Sequence, residues 1–518
     1  MTLPGWLRSF LRSALPVALA GALLSRALAP HHDLWVVPVA LGVLSWLVLR
    51  AETWRKGAAL GWWFGLGYFG LGMSWIVEPF LVDPERHAWM APFGILFLAG
   101  GLALFWGAAF GLAIRISPRN SARRIAALIV LWSLAEFARA YVLTGFPWAA
   151  FGQFWIDTSL SGGLRWFGPH GLALVTLAGI LPVPLALLRQ ATTWIRGIGA
   201  AAPLALGALW VALSAGQAPV GQDGGNSAVT VRLIQPNAPQ DQKWHPDHMH
   251  RFFQRQLDYT ASPAAGPKPS LIVWPETAVP SLLEHAEFVL GKVTEAAGGT
   301  PVVLGMQRSE DRRYYNSFVV LGPDGQVAGL YDKQHLVPFG EYVPFGDVMA
   351  RFGIHGFAAT SGAGFSAGPG PALLDVPGIG QVLPLICYEA VFPQDVNGAP
   401  SRPDLLIQIT NDAWFGTRSG PYQHLVQARM RAIEQGVPMV RSANTGVSAM
   451  IAPDGRVTHM LPLGQAGYLD APLPQAGPPT IYSRTGDWPI LLLLLASMGG
   501  LLWAQRRFAS LSCVANKH

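Results

Sequence analysis

Long apolar stretches, separated by short polar linkers, fill the first 215 residues of the chain and return once near its C-terminus. A helix that crosses a bilayer needs about 20 mainly apolar residues. Eight stretches approach or reach that length: 13–29, 34–50, 57–79, 88–114, 124–144, 169–188, 196–215 and 488–505. The pattern predicts a polytopic α-helical membrane domain of about eight transmembrane helices.

Basic residues in the linkers predict how these helices are oriented. Lysines and arginines cluster beside alternate stretches: Arg8 and Arg12, then Arg50, Arg55 and Lys56, then Arg115, Arg119, Arg123 and Arg124, then Arg189 and Arg196, and finally Arg506 and Arg507. With eight helices, all these clusters lie on one side of the membrane. Because basic linkers stay in the cytoplasm, we expect both termini there and the segment 216–487 on the opposite side.

The segment between about residues 220 and 480 has a different pattern. Short runs typical of β-strands lie at 229–237, 270–276, 301–306, 381–389 and 404–412, whereas 245–260 and 421–436 have helical spacing. Two further runs, 318–331 and 448–460, each hold Pro-Asp-Gly between apolar strands, which predicts two hairpins. Alternating strands and helices predict an α/β domain whose sheet is covered by helices.

Composition agrees with this division of the chain. Hydrophobic residues make up 51% and charged residues only 13%, where a soluble domain carries about 25% charged residues. We therefore predict an N-terminal transmembrane domain of about seven helices over 1–217 and a soluble α/β domain over 218–480. A C-terminal transmembrane helix with a cytoplasmic tail is predicted over 481–518.

Composition also excludes several classes of function. The chain has two cysteines, Cys387 and Cys513, and the predicted topology puts them on opposite sides of the membrane, so no disulfide framework is expected. Zinc-ligand spacing, a P-loop and a Rossmann glycine pattern are all missing from the sequence, so we expect no metal and no cofactor. The net charge of +6 forms no basic stripe with interleaved aromatics, which argues against a nucleic-acid partner.

Three polar residues stand at the ends of apolar runs in the α/β segment. Glu276 ends SLIVWPE, Lys333 follows a hairpin strand, and Cys387 ends QVLPLIC. A carboxylate can take the proton of a thiol, and an ammonium can stabilise the oxyanion formed when the thiolate attacks a carbonyl. The three residues therefore suit acyl transfer, yet from spacing alone a buried packing cysteine and solvated strand ends are the more common explanation.

The segments around these residues resemble those of a known superfamily. WPET (274–277), YDKQHLVPFGEYVP (331–344) and ICYE (386–389) are similar to the three signature segments of the nitrilase superfamily, which has an αββα sandwich fold. Seven preceding apolar stretches and one following stretch, together with KQHLVPFGEYVP, resemble the apolipoprotein N-acyltransferase family of the bacterial inner membrane. The resemblance covers essentially the whole chain.

The resemblance implies roles for particular residues. Glu276 matches the general base, Lys333 the residue that stabilises the oxyanion, and Cys387 the acylated nucleophile. Supporting roles near the substrate are implied for Glu341, for Tyr388 and Glu389 after the nucleophile, and for Trp244 on a mobile arm near the site entrance. We interpret Asn411 and Asp412, in TNDAWFG, as shaping the loop beneath the site, and His335 as structural.

The resemblance also implies a reaction and its partners. A phospholipid would acylate Cys387, and the thioester would pass its acyl chain to the α-amino group of the N-terminal diacylglyceryl-cysteine of an apolipoprotein, the last step of lipoprotein maturation. This ping-pong scheme places the enzyme in the bacterial inner membrane, with its catalytic domain in the periplasm and both termini in the cytoplasm. The sequence makes no prediction about oligomeric state.

Two alternative functions stay open at this point. A membrane-bound nitrilase-like amidase or hydrolase would use the same three residues but release the acyl group to water. A transporter or lipid-handling scaffold would instead need ionisable residues inside its helices. Glu136 and Arg139 are the main examples here, and their spacing predicts a local pair on one helix face.

Two further segments carry hypotheses about lipid. The aromatic loop 144–155 is interpreted either as an interfacial belt or as a lipid-facing platform beside the active site. The glycine-rich segment 351–371 is long for a loop, and such loops are often lids. We expect it to exclude water from a thioester, with Phe352, Phe357 and Phe365 touching lipid.

Overall fold

The structure is a computed structural model that describes residues 13–188, 191–216, 229–264, 266–344 and 364–515. It divides into two compact units, which are treated separately below. One is helical and combines Met1–Ala218 with Thr485–His518, whereas the other is the α/β unit Pro219–Arg484.

The helical unit contains both long helices and short turns of 3-10 helix. The helices are α1 (Leu15–Leu24), α2 (Val36–Arg50), α3 (Trp54–Gly72), α4 (Pro84–His87), α5 (Ala91–Arg115), α6 (Ala122–Tyr141), α7 (Leu164–Ile180) and α8 (Thr193–Gly216), and after the α/β unit α14 (Trp488–Ala515). Helix α14 packs on α6, where Leu494 lies against Val130 and Phe137. Glycines allow close approach of α1 and α3, because a Cβ at Gly21 or Gly67 would collide with the facing backbone.

The helices confirm an apolar helical region but not the count of eight spans. Within the described residues, four segments are long and apolar enough to cross a membrane: Pro84–Arg115, Ser159–Leu187, Thr193–Ser214 and Trp488–Arg507. The continuous helix expected over 57–79 is wrong, since α3 ends at Gly72 and a 3-10 helix containing Pro79 follows. Helix α1 has only 10 residues, so the number of spans stays a prediction.

The aromatic loop 144–155 lies inside the helical unit rather than against lipid. Trp148, Phe151 and Phe154 are buried, and their rings pack against Trp75 and Tyr68 from other elements. Both interpretations of this loop are therefore wrong. Its aromatic side chains fill the core of the unit, where each buries a large apolar area.

Glu136 and Arg139 form the predicted local pair on α6. Their side chains are buried, with Arg139 Nη2 at 2.6 Å from Glu136 Oε2. Trp106 Nε1 donates to the other carboxylate oxygen at 2.7 Å, and Arg139 also donates to the carbonyls of Phe146 and Trp148. The pair thus satisfies both charges and anchors the aromatic loop.

The α/β unit contains two six-stranded sheets. The strands are β1 (Thr230–Gln235), β2 (Leu271–Val273), β3 (Val302–Glu310), β4 (Arg313–Leu321), β5 (Val327–Asp332), β6 (Leu374–Val376), β7 (Gly380–Ile386), β8 (Leu405–Thr410), β9 (Met439–Ala443), β10 (Ser448–Ile451), β11 (Val457–Leu461) and β12 (Gly467–Pro472). The spatial orders are β12-β1-β2-β3-β4-β5 and β11-β10-β9-β8-β7-β6. In each sheet three central strands are parallel and the outer strands are antiparallel.

Helices cover the outer face of each sheet, and the inner faces meet. The helices of this unit are α9 (Pro246–Ala261), α10 (Glu287–Ala297), α11 (Pro393–Asn397), α12 (Gly420–Gln435) and α13 (Ile481–Thr485). Residues of α9 and α10 share a core with the first sheet, and residues of α11 and α12 share one with the second. Ser442 on β9 donates to the carbonyls of Ile234 and Val273 in the facing sheet. This arrangement confirms the predicted αββα sandwich.

Both Pro-Asp-Gly hairpins are confirmed. The first joins β4 to β5 and the second joins β10 to β11. In each turn the glycine, Gly325 or Gly455, has a φ near +80°, which a residue with a side chain rarely adopts.

Candidate active site

Glu276 lies just beyond the end of β2, held against the neighbouring strand. A Cβ at Gly305 on β3 would come within 2.6 Å of the Glu276 Cα. The N–H of Gly305 donates to the Pro275 carbonyl at 3.1 Å, and the N–H of Ala278 donates back to the Gly305 carbonyl at 2.7 Å. The WPE segment therefore fits only because residue 305 has no side chain.

Lys333, Glu341 and Glu276 meet in one buried cluster. Lys333 Nζ donates to Glu341 Oε1 at 2.8 Å and lies 3.6 Å from Glu276 Oε1. Asn316 on β4 joins the two carboxylates, because its amide nitrogen is 2.7 Å from Glu276 and 3.2 Å from Glu341. The second oxygen of Glu341 accepts the N–H of Val337 at 2.8 Å. Each carboxylate thus has a fixed orientation toward the ammonium.

The charge of Lys333 is maintained although its side chain is only 1% exposed. Burial would lower the lysine pKa, but the Glu341 and Glu276 carboxylates outweigh burial and raise the pKa above its ordinary value. A buried ammonium of this kind is a preorganised partner for a developing oxyanion.

Cys387 lies at a sharp turn between β7 and a 3-10 helix. Its φ is +50°, which is unusual for a residue with a side chain, and its side chain is buried. Burial raises the pKa of the thiol, with the negative charge of Glu276 adding to the effect and Lys333 opposing it. The resting side chain is therefore a thiol that needs a base, and Glu276 and Lys333 are both near enough to act on its charge.

Glu389 joins the turn that carries Cys387 to the loop that carries Lys333. One carboxyl oxygen lies 2.7 Å from the Tyr331 hydroxyl and 2.8 Å from the Gln334 N–H, and the other lies 2.7 Å from the Ile386 N–H. Burial raises the pKa of Glu389 to about 7, although these three partners oppose the shift. Glu389 therefore links the two segments through three hydrogen bonds.

Tyr388 and His335 pack beside the nucleophile. The ring of His335 stacks on Phe392 at a centroid distance of 3.6 Å, and its Nδ1 lies 2.8 Å from Asp395 Oδ2. Tyr388 is buried with its ring edge-on to both His335 and Phe392. These contacts favour the structural interpretation of His335.

The segment TNDAWFG, interpreted from the sequence as shaping the loop beneath the site, is held by polar contacts. Asp412 Oδ1 accepts from Thr410 Oγ1 at 2.9 Å and lies 2.8 Å from His424 Nδ1. Asn411 instead accepts from Asn444 and donates to Gln240 at 2.7 Å. Sequence reasoning missed His424 and Asn444, since a single histidine in a helix and a single asparagine in a loop carry no distinctive pattern.

A second buried lysine lies near Glu276. Lys243 Nζ donates to the Glu276 carbonyl at 3.0 Å and to Thr277 Oγ1 at 2.8 Å. Burial lowers its pKa to about 8, while the charges of Glu276 and Cys387 oppose that change. Sequence reasoning chose the adjacent Trp244, which is 41% exposed, and passed over this lysine.

Part of the predicted lid lies outside the described residues, including Phe352 and Phe357. Phe365 is described, and its N–H donates to the Glu341 carbonyl at 2.8 Å. The described residues contain no group of three or more His, Cys, Asp or Glu side chains that could hold a metal ion.

Two family profiles match the chain in succession. Residues 20–181 match the profile described as apolipoprotein N-acyltransferase N-terminal domain, and residues 230–477 match the profile described as carbon-nitrogen hydrolase. The two matches fall in the helical unit and the α/β unit.

Relatives match almost the full length. Apolipoprotein N-acyltransferase of Bradyrhizobium diazoefficiens is 40% identical to this chain, and the alignment covers 98% of this chain and 96% of the relative. Apolipoprotein N-acyltransferase of Rhodopseudomonas palustris is 37% identical, and the alignment covers 97% of this chain and 96% of the relative. An amidase of known structure from Nesterenkonia sp. aligns with 51% of this chain and 95% of its own at 21% identity, with a TM-score of 0.37. On the identity and coverage of its full-length relatives, the chain belongs to the apolipoprotein N-acyltransferase family of the nitrilase superfamily.

Proposed function

We propose that this protein transfers a fatty acyl chain from a phospholipid to the α-amino group of the N-terminal diacylglyceryl-cysteine of apolipoproteins. Family membership supports lipoprotein N-acylation. The observation that carries the chemistry is the buried cluster in which Lys333 contacts two carboxylates and acts electrostatically on Cys387. Such a group of base, ammonium and thiol suits acyl transfer through a covalent intermediate.

In the first half-reaction, Glu276 takes the thiol proton and the Cys387 sulfur attacks the ester carbonyl carbon of the phospholipid. The carbonyl oxygen becomes an oxyanion, which the Lys333 ammonium stabilises by a charge-assisted hydrogen bond. The ester C–O bond then breaks, and the lysophospholipid oxygen takes the proton from Glu276. The product is a thioester on Cys387.

In the second half-reaction, the α-amine of the diacylated apolipoprotein attacks the thioester carbonyl. Glu276 takes a proton from the attacking nitrogen, and Lys333 again stabilises the oxyanion. The C–S bond breaks, the thiolate recovers the proton from Glu276, and an amide remains on the lipoprotein. We assign Glu341 to holding Lys333, Tyr388 and Glu389 to supporting the nucleophile turn, and Trp244 to the entrance. The cycle uses no cofactor.

We further propose that the helical unit spans the bacterial inner membrane, with the α/β unit on the periplasmic side and both termini in the cytoplasm. The distribution of basic linkers supports this orientation. Both substrates carry acyl chains that anchor them in the membrane, so a catalytic unit at the membrane surface would meet them by diffusion in the plane of the membrane. Labelling of single introduced cysteines in linkers of intact cells would test the orientation.

The reaction is tested with purified enzyme, a phospholipid and a synthetic diacylated lipopeptide. We expect the lipopeptide mass to increase by one acyl chain for each lysophospholipid formed, and the Cys387→Ser variant to give neither product. Release of free fatty acid without gain of mass on the lipopeptide would instead support the hydrolase alternative.

A further inference from the structure

A buried lysine that the proposed reaction does not use holds the turn that carries Glu276. Lys243 Nζ donates to the Glu276 carbonyl at 3.0 Å and to Thr277 Oγ1 at 2.8 Å. Thr277 has a φ of +45°, which is rare for a β-branched residue and persists only where the surroundings enforce it. The two hydrogen bonds therefore stabilise a strained backbone directly after the proposed base.

The loop that carries Lys243 is fixed to residues that follow strands of the second sheet. Asn444, which follows β9, accepts the Ala238 N–H on its Oδ1 at 3.1 Å and donates from its amide nitrogen to the Ala238 carbonyl at 2.9 Å. Asn411, which follows β8, donates to Gln240 Oε1 at 2.7 Å. The loop from Ala238 to Lys243 therefore has polar anchors on two strand ends.

These anchors matter because the proposed base and nucleophile come from different sheets. Glu276 follows β2 in the first sheet, whereas Cys387 follows β7 in the second, where β7, β8 and β9 run parallel side by side. The loop contacts the ends of β8 and β9, and Lys243 extends from it to Glu276. Lys243 thus completes a chain of hydrogen bonds between the two strand ends that carry the reacting groups.

Lys243 and Lys333 differ in the groups that stabilise their charge. Both acceptors of Lys243 are neutral oxygens, whereas Lys333 contacts two carboxylates. Burial lowers the pKa of Lys243 to about 8, and the charged groups that oppose this change are Glu276 and Cys387. The Trp244 ring, 5.2 Å from the ammonium, adds a weaker contact. Lys243 is therefore the lysine whose charge changes near neutral pH.

We propose that Lys243 is a positioning residue, which fixes the Glu276 turn relative to the sheet that carries Cys387. It acts through the Glu276 carbonyl and the Thr277 hydroxyl and exchanges no proton with the substrate. The inference rests on the proposed roles of Glu276 as base and Cys387 as nucleophile.

The first test measures the rate of Cys387 alkylation by iodoacetamide in a Cys513→Ser background. Lys243→Met keeps an unbranched side chain but removes the donors, so Glu276 should be displaced and the thiol should react about tenfold more slowly near pH 7. The matched control is Lys268→Met, because Lys268 is exposed and also donates to a backbone carbonyl, that of Gly298 at 2.9 Å. Its rate should stay within about twofold of wild type, and thermal melting confirms that each variant is folded.

The pH profile separates this role from a general loss of packing. A neutral amine is a weaker donor than an ammonium, so the ratio of the wild-type rate to the Lys243→Met rate should be largest below about pH 7. The ratio should then fall as the pH rises through about 8, where Lys243 loses its proton. Equal rates for the two proteins, or a ratio that is constant with pH, would overturn the proposal.

A second pair of variants tests the contact from its other side and leaves the lysine in place. Thr277→Val preserves the β-branched shape but removes the acceptor of Lys243, whereas Thr277→Ser keeps the hydroxyl. We expect alkylation to slow about threefold or more in the valine variant and to stay within about twofold of wild type in the serine variant. Equal rates in the two folded variants would overturn the proposal even if Lys243→Met does not fold.

These measurements do not depend on acyl transfer, so the two proposals can fail separately. A protein that shows the expected alkylation pattern but transfers no acyl chain would refute the proposed function alone. Acyl transfer with unchanged alkylation in Lys243→Met and Thr277→Val would refute the role of Lys243 alone.

Discussion

The Lys333 ammonium donates a 2.8 Å hydrogen bond to the Glu341 carboxylate. Its distance to Glu276 is longer, at 3.6 Å. Glu341 therefore holds the lysine more closely, whereas Glu276, the base in the proposed mechanism, keeps a longer contact with it. The two different distances suggest separate tasks for the carboxylates: Glu341 would position the Lys333 ammonium, which would leave Glu276 available as the base.

Substituting Glu341 by glutamine should slow acyl loading of Cys387 by about 10²–10³-fold, as for loss of an oxyanion-stabilising donor. Without the Glu341 charge, Lys333 would pair with Glu276 and occupy the base. The matched control is Glu310→Gln, which removes an exposed carboxylate that forms an ion pair with Arg308. Single-turnover mass spectrometry measures loading, and equal rates in the two variants would contradict this role for Glu341.

Gly305→Ala should disrupt the position of Glu276 without adding any polar group. The new methyl would lie 2.6 Å from the Glu276 Cα and 2.6 Å from the Thr277 nitrogen, so the backbone must shift. We expect acyl loading to fall at least 10²-fold, because displacement of a catalytic group by about 1 Å has that effect. Gly291→Ala, in an open position on α10, is the control and should be neutral or slightly stabilising.

Glu389→Gln should weaken both stability and loading. The amide would direct N–H hydrogens toward backbone N–H groups that need an acceptor, which costs about 1–3 kcal/mol for a buried unsatisfied group. The turn of Cys387 and the loop of Lys333 would separate, since Glu389 bonds to Ile386 in one and Gln334 in the other. A variant with wild-type melting temperature and loading rate would refute this positioning role.

Glu389 also predicts a pH dependence of stability. Its pKa is raised from 4.5 to about 7 by burial, so the native state holds its proton where the unfolded state has lost it. The resulting stabilisation is complete below pH 4.5 and is lost as the pH rises through about 7. The wild-type melting temperature should therefore fall, relative to that of Glu389→Gln, across this range, and parallel melting curves would contradict the assignment.

The Glu136–Arg139 pair should stabilise the helical unit only when both partners are present. Glu136→Gln leaves the buried Arg139 charge without its carboxylate and should destabilise the unit by about 3–5 kcal/mol. Asp33→Asn, which removes the more exposed pair with Arg26, is the control and should cost at most about 1 kcal/mol. Thermal unfolding in detergent compares the two, and equal shifts would contradict the distinction.

The sequence predicted the elements well where the pattern is local. Alternating apolar runs indicated most strands of the α/β unit, and Pro-Asp-Gly indicated both hairpins, because turn residues specify their own geometry. The residues with motif context, such as Glu276, Lys333 and Glu341, do lie together. The aromatic content of loop 144–155 did not reveal that the loop is buried, because aromatic residues occur both at membrane interfaces and in protein cores.

The residues that sequence reasoning missed act through contacts between distant strands. Asn316 reaches both carboxylates from β4. His424 takes its role from its contacts with Asp412 and Gln408. Each is a common polar residue whose importance depends on the register of the sheets, which no local pattern encodes.

The intact mass of the purified protein after incubation with phospholipid, compared with Cys387→Ser, tests the central claim most directly. We predict one fatty-acyl increment on the wild type, removed by hydroxylamine and transferred to a diacylated lipopeptide, and no increment on the variant. A folded wild-type protein that acquires no acyl group from any phospholipid, or that keeps the group after Cys387 is replaced, would contradict the thioester mechanism.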